Sequence, residues 1–140
     1  MKISIIIPIY NEEKTVINIL EKINSLDIWN ENKHTKEIII INDGSTDNSI
    51  DVLKKNYNLY DKLIDNKINK GKGSAVREGI LDCSGDYVIF QDADNEYDPE
   101  DYVKFIKCVE KFSADFVIGN RFNYDKYTRS HNFLNKVGNW

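Results

Sequence analysis

Two short runs of β-branched residues constrain this chain more than any other feature, because each is apolar on both of the faces a strand would present. Ile3-Ser4-Ile5-Ile6-Ile7-Pro8 and Glu37-Ile38-Ile39-Ile40-Ile41-Asn42, the second with four consecutive isoleucines, lack the alternation of a strand with one wet face. Runs of this kind read as strands covered on both sides, the position of central strands in a parallel sheet. Between them Val16, Ile19, Leu20, Ile23 and Leu26 recur at three- and four-residue spacing, which predicts an amphipathic helix over 12–26, followed by a polar loop at 27–36.

The alternation continues. Asp43-Gly44-Ser45-Thr46-Asp47 supplies turn residues and N-cap candidates for a helix reaching about residue 57. A weak third strand is predicted at 62–65, a helix at 73–83, a fourth strand at 86–91, then an acidic loop. Pro99 suits the first position of a helix running to 112, and a short apolar strand is predicted at 115–119. Parallel crossovers need a dozen or more residues and are right-handed, so this order implies an α/β fold: a Rossmann-like, mostly parallel sheet with helices on both faces. At 140 residues the chain suffices for one such domain, 1–140, and not for two.

Composition narrows the class. With 41% hydrophobic and 30% charged residues, and no apolar run near the ~20 residues of a membrane span, a globular protein is expected. Met1-Lys2 leads directly into the first strand without a cleavage-site pattern, which predicts a cytoplasmic protein. The net charge of −4 argues against nucleic acid as a partner. Acids cluster at 92–101, whereas 120–140 carries Arg121, Lys126, Arg129 and Lys136 against Asp125 alone. Cys83 and Cys108 lack metal-ligand spacing and are expected to be reduced thiols.

In an open parallel sheet ligands bind at the carboxyl ends of the strands, so function is sought in the loops after them. These loops are Pro8-Ile9-Tyr10-Asn11-Glu12-Glu13, Asn42 to Asp47, Asn69-Lys70-Gly71-Lys72-Gly73 and Gln91-Asp92-Ala93-Asp94-Asn95-Glu96. Each has a bland reading as a turn, a flexible connection or a solvated cap; their agreement in position is what points to a site. Asp92 and Asp94 have the spacing to hold one hard divalent cation while diphosphate oxygens fill its other positions, and Glu96 can add a third oxygen. Gly71-Lys72-Gly73-Ser74-Ala75-Val76 matches neither the dinucleotide fingerprint nor a Walker loop, so phosphate is expected to be neutralised by a metal.

Together these residues resemble the glycosyltransferases of family 2, which have the GT-A fold. The matching pieces are Pro8-x-Tyr10-Asn11-Glu12-Glu13, Asp43-Gly44-Ser45-Thr46-Asp47, Asn69-x-Gly71-Lys72-Gly73 with Ala75, Arg77 and Gly79, the Asp92-Ala93-Asp94 motif with Pro99-Glu100-Asp101, and Gly119-Asn120-Arg121. The run from Gln91 to Asp101, with Gly119-x-Arg121 and Gly138-Asn139, is most similar to the branch of dolichyl-phosphate mannose synthases and polyprenyl-phosphate sugar transferases. Asn42 stands where many members carry a first Asp. Relatives also continue past the position of Trp140, so 122–140 is expected to begin the acceptor region of a longer domain.

The resemblance implies an inverting hexosyltransferase that uses a GDP- or UDP-sugar with Mn2+ or Mg2+. It gives Pro8, Tyr10 and Glu12 to the nucleoside, Asp43 to the base edge, and Lys72 and Arg77 to the nucleotide or its phosphates. Asp92 falls to nucleotide and metal, Asp94 and Glu96 to metal, and Arg121 with Arg129 to an anionic acceptor. Asp92, Asp94 and Arg121 are the expected catalytic set. A polyprenyl phosphate acceptor needs no general base and implies peripheral contact with the cytosolic face of a membrane, whereas a saccharide hydroxyl needs one. Asp98 and Glu100 could serve, though helix capping is the simpler role. Two other readings stand beside this one. The first is a phosphotransfer domain of the receiver or aspartate-phosphatase type, which is disfavoured because the paired aspartates follow the fourth strand. The second is a non-catalytic nucleotide-sugar-binding fragment.

Overall fold

The computed structural model describes residues 1–29 and 33–119. Its elements are β1 (Lys2–Ile9), α1 (Val16–Ser25), β2 (Thr35–Asp43), α2 (Ser49–Lys55), β3 (Lys62–Asn66), α3 (Lys72–Asp82), β4 (Tyr87–Phe90) and α4 (Tyr102–Phe112), with single 3-10 turns at Asp27–Trp29, Tyr57–Leu59 and Pro99–Asp101. The chain divides into two compact units, 1–103 and 104–140. The first holds the whole sheet; the described part of the second is the body of α4 and residues 113–119.

Among the described residues all ladders are parallel, in the order β3-β2-β1-β4. The isoleucine runs pair directly, Ile5 with Ile38, Ile6 with Ile39 and Ile7 with Ile40, and they are the two central strands. Side chains alternate faces along each strand. Ile6, Ile39 and Ile41 pack with Ala75 of α3, joined by Ile64, Cys83 and Val88. The alternate residues Ile3, Ile5, Ile7, Ile9, Ile38 and Ile40 are also buried, as are the α1 stripe Val16, Ile19, Leu20 and Ile23 and Leu53 of α2. Right-handed crossovers account for this: β1-α1-β2 and β2-α2-β3 step one way across the sheet, and β3-α3-β4 steps back past β1, which places α3 on the opposite face. The reversal between β1 and β4 is a topological switch point, where the loops at the carboxyl ends part and leave a crevice.

At the amino end of the sheet a carboxylate is buried. Glu37 accepts from Ser4 Oγ (2.8 Å), Ser84 N (3.0 Å) and Ser84 Oγ (2.9 Å), with Lys2 Nζ at 3.5 Å and Lys62 Nζ at 3.9 Å. Burial by itself would raise its pKa; the Ser4 and Ser84 hydrogen bonds and the Lys2 charge outweigh burial and hold it at about 2.

Three expectations are corrected. Residues 115–119 form no strand: among the described residues they have no ladder partner, and Phe116 and Ile118 are exposed, so β-propensity without a neighbouring strand does not make one. The first helix begins at Val16 and not at residue 12: residues 12–15 form a turn in which Thr15 N (3.2 Å) and Val16 N (3.1 Å) both donate to Glu12 O, while the N–H groups of Glu12 and Glu13 tie the chain to Ser49 Oγ (2.8 Å) and Asp47 Oδ2 (3.1 Å). Pro99 opens a 3-10 turn before α4, with Asp98 as its N-cap accepting from Glu100 N at 3.2 Å. Capping is thus what Asp98 does.

Candidate functional site

One cleft of about 330 Å3 lies at the carboxyl ends of the strands, lined from all four following loops. Pro8 comes from the end of β1 and Tyr10 and Glu12 from the loop after it, Asp43 from the end of β2, Lys72 from the start of α3, and Asp92 and Asp94 from the loop after β4. These seven sequence-predicted residues are brought together. Arg77 lies exposed on α3 and Glu96 is exposed in the acidic loop; neither lines the cleft. Arg121 and Arg129 lie outside the described residues.

The first two loops are stapled to each other. Asn11 takes the left-handed conformation (φ 59°), which its short polar side chain tolerates. Its Oδ1 accepts from Thr46 N (2.7 Å), Thr46 Oγ1 (3.3 Å) and Asp47 N (3.3 Å), while its own N–H donates to Ser45 Oγ (2.9 Å). Glu13 Oε2 accepts from Asn48 N and Nδ2 at 3.0 and 2.9 Å. Burial would raise the Asp47 pKa, but hydrogen bonds from the Ser49 side chain and from the Ser49 and Glu13 backbones hold it below the ordinary range. Tyr10 is thereby presented with its side chain 48% exposed, and the Glu12 carboxylate accepts from the Thr15 hydroxyl.

The surroundings of Asn42 explain why it stands where many family members carry a first Asp. Its Nδ2 donates to Asp65 Oδ1 at 2.7 Å and its Oδ1 accepts from Ser45 N at 3.0 Å. An aspartate there would face the Asp65 carboxylate at 2% exposure. Gly44 is needed on two counts: φ is +72°, and a Cβ would stand 2.6 Å from Asn69 N, a backbone atom. The loops after β2 and β3 therefore touch.

The acidic loop is held from below by Gln91, 1% exposed, whose Nε2 donates to the carbonyls of Asp92 (2.9 Å) and Tyr97 (3.0 Å) while its Oε1 accepts from Tyr102 Oη at 2.7 Å. Burial pushes the Tyr102 hydroxyl well above its usual range, so it stays a donor. Above this support the Asp92 carboxylate is paired with Lys72 Nζ at 2.6 Å, and Asp94 Oδ1 accepts from Glu96 N at 3.0 Å. Two hard oxygen donors a residue apart, one already seating an ammonium, suit a divalent cation whose remaining ligands come from elsewhere. Among the described residues no three carboxylate, imidazole or thiolate groups converge to hold a metal by themselves, so Glu96 does not complete a trio. No described helix is long and apolar enough to cross a membrane.

Sequence reasoning placed Ile9, Asn69, Gly71 and Ala93 in the loops of the site but gave them no role there, and it missed the partners of Asp43. Asp43 is 3% exposed, and both its oxygens accept backbone N–H groups: Oδ1 from Lys70 (2.8 Å) and Oδ2 from Gly71 (2.7 Å).

Comparison with known proteins agrees with this architecture. The family model described as glycosyl transferase family 2 matches residues 4–135. The poly-beta-1,6-N-acetyl-D-glucosamine synthase of Staphylococcus epidermidis is 41% identical over 101 residues, 70% of this chain and 23% of that protein. The UDP-N-acetylglucosamine–dolichyl-phosphate N-acetylglucosaminyltransferase of Methanococcus voltae is 32% identical over 154 residues, 98% of this chain and 59% of that protein. The chain thus spans from about a quarter to about three fifths of these relatives. The crystal structure of S. aureus TarS 1–349 in complex with UDP-GlcNAc superposes with a TM-score of 0.69 at 24% identity, over 82% of this chain and 33% of that one, and the shared fold is GT-A. With the family match covering nearly all of its length, the chain belongs to glycosyl transferase family 2.

Proposed function

We propose that the cleft binds the nucleoside diphosphate of a UDP- or GDP-sugar and that the protein transfers the sugar to an acceptor with inversion. The observation that carries this reading is the convergence of Asp92, Asp94 and Lys72 with Tyr10 and Asp43 in one cleft at the switch point. Tyr10, half exposed, offers a ring face to the base, and Pro8 and Glu12 border the same end. Asp43 offers acceptor lone pairs to a base N–H, since each carboxylate oxygen has capacity beyond the single bond it makes to the loop. Lys72 can leave Asp92 to meet the diphosphate. Asp92 and Asp94 would hold Mn2+ or Mg2+, which when bound supplies Lewis-acid neutralisation of the charge on the departing diphosphate.

In the transfer an acceptor oxygen forms a bond to the anomeric carbon while the carbon–oxygen bond to the diphosphate breaks and its electron pair leaves with the diphosphate. A polyprenyl phosphate presents an oxygen already ionised, and the reaction then belongs at the cytosolic face of a membrane. The Methanococcus relative, named for dolichyl phosphate, supports this acceptor, as do Arg121 and Arg129 in the basic tail. The Staphylococcus relative, named for a polysaccharide, favours a saccharide hydroxyl as the second reading. Supplying the full chain with Mn2+, labelled UDP- or GDP-sugar and either polyprenyl phosphate or an oligosaccharide separates the two. Label is expected in the lipid phosphate, falling roughly tenfold or more in Arg121→Ala, the scale of losing a charge-assisted contact. Transfer to the saccharide with the lipid phosphate inert would establish the second reading instead.

A further inference from the structure

We propose that Asp43 is the positioning residue for Lys72, so that the base end and the diphosphate end of the cleft move as one unit. Asp43 is the last residue of β2, rigid in the sheet and 3% exposed. Its carboxylate grips two successive amides, Lys70 N at 2.8 Å and Gly71 N at 2.7 Å, one on each oxygen. A two-point grip fixes the direction of the loop as well as its distance. Gly44, immediately after, packs so closely on Asn69 that no side chain fits between them, a second contact holding the same loop.

Gly71 then turns the chain with φ +90° and is the N-cap of α3, whose first residue is Lys72. The Lys72 side chain is 64% exposed, and its ammonium meets Asp92 Oδ1 at 2.6 Å. A long lysine with so little packing around it reaches one place reliably only if its backbone is held, and the holding group is Asp43. A path that runs by hydrogen bond from Asp43 to Gly71, along the chain to Lys72 and by ion pair to Asp92 therefore crosses the cleft from the base side to the paired aspartates. Its consequence for phosphate binding rests on the reading given above, that the cleft takes a nucleoside diphosphate.

The test uses inorganic pyrophosphate with Mn2+, a probe that has no base and so gives Asp43 nothing to touch. Calorimetric titration is expected to show Asp43→Asn weakening pyrophosphate roughly tenfold, about as much as Lys72→Ala, because asparagine sets an N–H against a loop N–H. The double variant is expected to be no weaker than Lys72→Ala alone. Gly71→Ala guards against misfolding of a buried variant. No protein atom lies within 4 Å of the added Cβ, so in the ligand-free protein it strains only the backbone conformation, and it should reproduce the loss, together with increased exchange at the Lys70 amide, with Asp43 intact. Gly71 N also donates to Asn69 Oδ1 at 3.0 Å, so the amide that reports Asp43 alone is Lys70. In parallel, hydrogen exchange on the ligand-free protein should show the Lys70 amide protected in wild type and in Lys72→Ala and unprotected in Asp43→Asn, with the β1 and β2 amides unchanged. Pyrophosphate affinity and amide protection both unaltered in Asp43→Asn would overturn the proposal. Wild-type protein that bound neither pyrophosphate nor any nucleoside diphosphate would overturn the reading of the cleft instead, and the exchange data would still decide the clamp.

Discussion

Replacing Asp94 by Ala is expected to abolish the dependence of nucleotide affinity on Mn2+, leaving the variant with the weak affinity that the wild type shows in EDTA. Asp94 is exposed and, among the described residues, its side chain accepts one hydrogen bond, from Glu96 N, so its loss removes little folding energy. The ligand-free Tm should move by no more than about a degree or two, the range of an ordinary surface substitution. Altering even the outer shell of a metal site costs about 10- to 100-fold in metal affinity, so removal of a ligand should cost at least that much. Because Lys72 already neutralises Asp92, Asp94 is the carboxylate of the pair that has no ammonium partner among the described residues. A variant whose nucleotide affinity still rose with Mn2+ would remove Asp94 from the metal site.

The largest effect on stability is expected at the other end of the sheet. The Glu37 carboxyl, held at about 2 against an ordinary 4.5, stabilises the fold at every pH above the ordinary value and loses that contribution as pH falls from 4.5 through 2. A shift of this size corresponds to about 3 kcal/mol. Asp47 and Asp65, also held below their ordinary range, act in the same direction. Urea unfolding at pH 7 and at pH 3 should show Glu37→Gln less stable than wild type at pH 7, with much of that difference gone in acid. A constant gap between the two proteins at both pH values would mean that ionisation of Glu37 contributes nothing.

The central strands were legible because an unbroken isoleucine run has few other uses in a short α/β chain, and the loops at the carboxyl ends followed from the alternation of strands and helices. The third strand read weakly for a physical reason: Lys62–Asn66 is an edge strand, half-buried throughout, and carries charges at Lys62 and Asp65. Residues 115–119 misled because apolar β-branched composition is the same whether or not a partner strand is present. At the site, the motifs named the loops and most of the lining, yet not how the loops bind each other. Asp43 lies 27 and 28 residues from the amides it holds, and Asn11 lies 35 and 36 from Thr46 and Asp47. Such pairings depend on the β3-β2-β1-β4 order, which brings distant loops to one edge, and spacing along the chain does not encode them. Arg77 illustrates the converse: matching a motif on α3 does not bring its side chain into the lining of the cleft.

The central claim is that this cleft recognises a nucleoside diphosphate through a divalent cation. Calorimetric titration of the wild-type protein with UDP-, GDP- and dTDP-sugars, each in Mn2+ and again in EDTA, tests it most directly. The account predicts saturable one-to-one binding in Mn2+, a preference for one base, and a loss of at least about tenfold on chelation. Binding of equal strength in EDTA would contradict it.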